Sequence, residues 1–111
     1  MIISHPTSEI TNLFSDASLI PGVKRKSGDF AIVRDEDGGI TLWSGRRIIF
    51  RDDRAGYSFR YAPQNQRECN AVNSVLMLMG NTGRVDLRDG RIAWLQMDEW
   101  YGESAKTKGR R

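Results

Sequence analysis

Cysteine and histidine are nearly missing from this chain, with one of each, Cys69 and His5, in 111 residues. A lone cysteine excludes an internal disulfide, and the pair falls short of the three or four Cys/His ligands of ordinary zinc sites. Long apolar runs are missing too. The stretch Val75-Leu76-Met77-Leu78-Met79 is far below the roughly 20 residues of a membrane-spanning helix, so no membrane partner is expected. The opening Met-Ile-Ile-Ser-His-Pro lacks the charged-then-apolar pattern of a secretory signal. A reducing, cytoplasmic location is the expectation that follows. No P-loop, dinucleotide fingerprint or nucleophile elbow occurs, and no cofactor or metal is expected.

A strong excess of one charge is also missing from the body of the chain. The formal net charge is +3, but Lys106, Lys108, Arg110 and Arg111 crowd the end. Residues 1–105 carry 13 basic and 14 acidic groups, a net of −1. Residues 1–104 are therefore read as one α+β domain and residues 105–111 as a disordered basic tail. Arginine outnumbers lysine 13 to 4, which favours planar, forked contacts to carboxylates, phosphates or aromatic faces.

Periodicity gives the fold. Ile10, Leu13 and Phe14 place one apolar stripe on a short helix over 6–15, with Pro6 at its first position. From Gly28 the pattern alternates, predicting strands over 30–33, 40–43, 47–51 and 57–61, separated by short turns. Cys69, Val72, Val75, Leu76 and Met79 form the apolar stripe of a main helix over 64–79, with Gly80 closing it. Gln66, Arg67, Asn70, Asn73 and Ser74 make its opposite face. Asp89-Gly90 marks a hairpin between strands 84–88 and 91–97, and the apolar second strand is expected to be central. The order α-β-β-β-β-α-β-β predicts a mainly antiparallel sheet with one long helix packed on a face.

Chemistry is harder to find. His5 stands beside Pro6 at a helix start, and Cys69 lies on the apolar stripe, where a thiol serves as a small core residue. The acidic groups 35–37, 52–53 and 98–99 read as solubilising turns, because Arg46 stands where a calcium loop needs its glutamate. The candidate contacts are the basic residues Lys24, Arg25, Lys26, Arg46, Arg47 and Arg60, with Trp43, Tyr57 and Tyr61 as aromatic partners. The segment 54–61 interleaves aromatics with arginine, as single-strand-binding sheets do. It does not complete the RNP1 pattern, since Arg60 takes an apolar position and Tyr61 comes one place early.

The leading expectation is a non-catalytic accessory or inhibitory factor of the phage or mobile-element type. It would dock on a host or cognate protein or nucleoprotein through mixed-charge turns and aromatics. One alternative is an RNA, single-stranded DNA or phosphorylated-ligand binder. A second is a metal-independent ribonuclease using Arg47, Arg51, Arg60, Tyr57 and Tyr61. A homodimer is compatible with each.

Overall fold

A computed structural model describes residues 5–53 and 58–100, apart from the side chains of Ser58 and Phe59. The fold is α+β with antiparallel sheets. Helix α1 (Ser8–Leu19) is followed by strands β1 (Arg25–Ser27), β2 (Phe30–Arg34), β3 (Ile40–Ser44), β4 (Arg47–Asp53) and β5 (Ser58–Tyr61). Helix α2 (Gln66–Leu78) and strands β6 (Arg84–Arg88) and β7 (Arg91–Leu95) complete it. The first five strands form one sheet in chain order, every neighbour antiparallel.

Both helices are held by side-chain caps. Thr7 caps α1, its hydroxyl accepting the Ile10 N–H, so Pro6 precedes the helix and is not its first residue, and the helix runs past Ser15 and Asp16 to Leu19. Asn65 Oδ1 accepts the Glu68 N–H at 2.8 Å at the start of α2. Gly80 closes α2 at φ 81°, a left-handed conformation that glycine adopts without strain. At 12 and 13 residues the two helices are nearly equal, so the sheet is not served by one long helix alone.

Helix α1 rests on β1 and β2, and α2 lies between β4 and β6. Phe30, Ile32, Ile40, Leu42, Ile49 and Phe50 of the sheet meet Ile10, Leu13, Val72, Val75 and Leu76 of the helices in one core. This position of α2 corrects the expectation of an outward polar face at Asn73 and Ser74. Both are fully buried. Asn73 Nδ2 donates to Val85 O at 3.0 Å, and its Oδ1 accepts the Val85 N–H at 2.7 Å. One side-chain amide thus pairs with the edge of β6 as a peptide of a neighbouring strand would. Ser74 Oγ accepts the Thr7 N–H at 3.1 Å, tying α2 to the start of α1.

The hairpin departs from expectation as well. β6 and β7 form their own two-stranded sheet, so β7 is not a central strand. Its apolar residues have other roles. Trp94 stacks on Tyr61 with ring centroids 5.4 Å apart, and its indole lies over Gly83, where an added Cβ would sit 2.0 Å from the ring. The turn is as expected, with Asp89 at φ 53° and Gly90 at φ 78°. After β7 a helical turn over 97–100 brings Trp100 back, its Nε1 donating to Thr82 O at 2.8 Å. Arg84 stacks on that indole and donates to the Asn81 and Gly83 carbonyls. The expected basic tail, residues 105–111, lies outside the described residues.

Candidate interaction surface

Side chains alternate across a strand, so strand register sorts every residue of the sheet onto one of two faces. Ala31 opposes Trp43, Val33 opposes Thr41, Thr41 opposes Arg51, and Arg51 opposes Arg60. This set lies opposite the helices. Strand β4 carries an irregularity that extends it. The register shifts between Leu42 and Trp43, so that Leu42 faces Phe50 but Trp43 faces Ile48. Ile49 is the extra residue, and it and Phe50 are both fully buried despite being adjacent. The bulge resets the alternation. Ile48 and Arg51, three apart in sequence, therefore share the face away from the helices.

The predicted contact residues divide between these two sides. Lys24, Lys26, Trp43 and Arg46 line one shallow cavity of about 560 Å³, together with Gly28, Asp29, Ala31 and Gly45. Lys24 Nζ sits 4.3 Å from the centroid of the Trp43 ring, a cation–π contact. Arg60 lies on the same face, across the sheet. Arg25 does not join them. It opposes Ile32, on the helix side, and its Nε is buried without a hydrogen-bond partner. Arg47 also turns to the helices, where it pairs with the buried Glu68. Tyr61 opposes Phe50 and packs on the core and Trp94. Tyr57 lies outside the described residues.

Glu68 shows why Arg47 is committed there. Burial alone raises the Glu68 carboxyl. The Gln64 N–H, at 2.8 Å, and hydrogen bonds from Ser44 and Arg47 act the other way, aided by the Arg47 charge. These outweigh burial and hold the group below its ordinary value. Cys69 is the reverse case. Its thiol is fully buried, and burial with the nearby Asp86 and Glu68 charges pushes its pKa up to about 11. A thiol in that state is a poor nucleophile at neutral pH. Among the described residues no group of three His, Cys, Asp or Glu side chains could hold a metal ion, and no helix is long and apolar enough to cross a membrane.

Two residues belong to the uncovered face without having been assigned to it from the sequence. Ile48 is 46% exposed, and Arg51 lines a second hollow with Ile48, Asp53 and Arg60. The bulge that puts them there leaves no mark in apolar periodicity. The result is a strip running from β1 to β5, about 19 Å across at ordinary strand spacing. Lys24, Lys26 and Arg46 stand at one end, Trp43 and Ile48 in the middle, and Arg51 and Arg60 at the other. Compared with protein-family models, curated proteins and solved structures, the chain matches none.

Proposed function

We propose that this protein is a non-catalytic, cytoplasmic accessory or inhibitory factor that docks an acidic protein or nucleoprotein surface on the uncovered face of its sheet. The observation that carries this reading is the adjacent pair Trp43 and Ile48, apolar and partly exposed, with cations at both ends. An apolar centre with a charged rim is how protein interfaces are built, and tryptophan and arginine dominate their energetics. The basic rim also steers an acidic partner into register.

The nucleic-acid alternative has less support. Stacking of successive bases needs a row of aromatic rings on one face. Among the described side chains that face holds Trp43 alone, and Lys24 already lies over it. The ribonuclease alternative needs Arg47, Arg51, Arg60, Tyr57 and Tyr61 to converge, whereas Arg47 and Tyr61 turn to the helix side.

The test compares the native chain with a Lys24→Glu/Lys26→Glu/Arg46→Glu variant and with Trp43→Ala, each immobilised and exposed to nuclease-treated lysate. Proteins retained by the native chain and lost by both variants are expected. Labelled single-stranded oligonucleotides should show no binding even at low salt. Oligonucleotide binding that weakens steeply with salt, with nothing retained after nuclease, would replace this reading by the nucleic-acid one.

A further inference from the structure

Arg51 and Arg60 are direct cross-strand partners on β4 and β5. Residues so placed hold their Cβ atoms about 5 Å apart, and like charges there repel. Among the described residues neither makes an ion pair, and Arg51 Nη1 has only a long hydrogen bond, 3.4 Å, to Thr41 Oγ1. The two guanidinium groups share a hollow of about 320 Å³ with Ile48 and Asp53. A repulsive pair facing a concave space is the arrangement that an incoming anion relieves.

We propose that this hollow is a carboxylate clamp, in which one Asp or Glu side chain of the partner bridges Arg51 and Arg60. The proposal rests on the docking reading above and names the group received at this end of the face. The docking reading supplies an acidic protein surface, so the anion received here is a side-chain carboxylate. Asp53 also lines the hollow, and its negative charge disfavours a doubly charged phosphoryl group more than a singly charged carboxylate. The forked donors of arginine match the two oxygens of a carboxylate. Ile48 supplies an apolar wall, which lowers the local dielectric and strengthens those hydrogen bonds.

The clamp can be tested without the partner. Acetate and inorganic phosphate are titrated in turn into the ¹⁵N-labelled full chain, replacing chloride at constant ionic strength. The Arg Nε–Hε resonances are followed, with the exposed Arg91 of the hairpin as internal reference. Acetate is expected to shift Arg51 and Arg60 together, saturably, and at least about threefold more than Arg91. Arg60→Gln should abolish saturation at Arg51, and Asp53→Asn should move the preference toward phosphate. Shifts no larger than those of Arg91 would overturn the clamp. So would phosphate binding about tenfold tighter than acetate on the native chain, a margin of about 1.4 kcal/mol, because the hollow would then be a phosphate site. Three further outcomes separate this proposal from the docking reading. If acetate titrates the pair but an Arg51→Gln/Arg60→Gln variant still captures the partner in full, no side chain of the partner enters the hollow, and the clamp falls while the docking reading stands. If acetate titrates the pair but the native chain retains no protein, the carboxylate preference of the hollow stands and the docking reading fails. If acetate leaves the pair unmoved while Trp43→Ala loses the partner, the docking face stands and the clamp falls.

Discussion

The two faces of the five-stranded sheet come from the same strands and treat charge in opposite ways. On the helix side every described cation is occupied or packed. Arg47 is paired with Glu68, Arg34 lies over the Phe14 ring, and Arg25 is half-buried beneath the helix layer. On the other side Lys26, Arg46, Arg51 and Arg60 stand exposed around Trp43 and Ile48. Both faces contain apolar side chains and arginine. Only Arg47 gains a counter-charge from the helix layer, in Glu68; Arg34 gains an aromatic ring, and the four exposed cations of the other side gain neither. An arginine count of 13 therefore overstates the cations available for recognition.

Five substitutions sharpen or break this contrast. The largest effect should come from the core. Phe50→Ala is expected to cost about 3–5 kcal/mol in denaturant unfolding, because it opens a cavity under the helices. Trp43→Ala, across the same sheet, should cost less than about 1 kcal/mol. Equal losses would mean that the uncovered face is really core, and the contrast would collapse.

Next comes Asn73→Ala. It strips the Val85 N–H and C=O of their buried partners and should cost about 2–3 kcal/mol, read from the thermal midpoint. A loss below about 0.5 kcal/mol would show that the amide is dispensable.

Arg47→Ala should follow at about 1–2 kcal/mol at pH 7, less than for a fully buried pair because the Arg47 side chain is 42% exposed. This loss depends on pH. The Glu68 carboxyl is held below 4.5 in the folded protein. Its ionised form therefore contributes stability above that pH, and the contribution fades as pH falls through the lowered value. Native and Arg47→Ala stabilities should accordingly converge in acid. Parallel curves from pH 7 to pH 3 would contradict the pairing.

The smallest effect carries the opposite sign. Arg51→Gln removes a like-charge neighbour of Arg60 and should raise stability by about 0.2–1 kcal/mol at low salt. A clear loss would place Arg51 among the structural arginines of the other face.

What the sequence made legible follows from what leaves a period. Phe30 and Ile32, Ile40 and Leu42, and the stripe Cys69–Val72–Leu76 repeat at 2 or 3.6 residues, and each lies in the core as its period requires. Gly80 and Asp89-Gly90 mark their turns by conformational need, and the backbone angles agree. β1 was missed because a three-residue edge strand, Arg-Lys-Ser, contains no apolar residue. Asn73 and Ser74 were misassigned because a polar residue that satisfies a buried backbone looks, in sequence, like one that faces water. For the candidate surface, the sequence located Lys24, Lys26, Arg46, Trp43 and Arg60 by charge and ring. It could not separate them from Arg25, Arg47 and Tyr61, because face membership depends on register. It missed Ile48 and Arg51 as neighbours because one inserted residue, Ile49, inverts the count.

The Asn73 amide has a consequence for how the chain reaches this structure. It joins α2 to β6 over a separation of only 12 residues, so helix and hairpin close a short loop. Short loops form early and at small entropic cost. The β6–β7 ribbon, too small to persist alone, gains a substitute third strand as soon as α2 is wound. Residues 66–95 are thus expected to gain hydrogen-exchange protection together, as one local unit. Strands β1 to β4, each paired with its chain neighbour, rest on local contacts of the same kind.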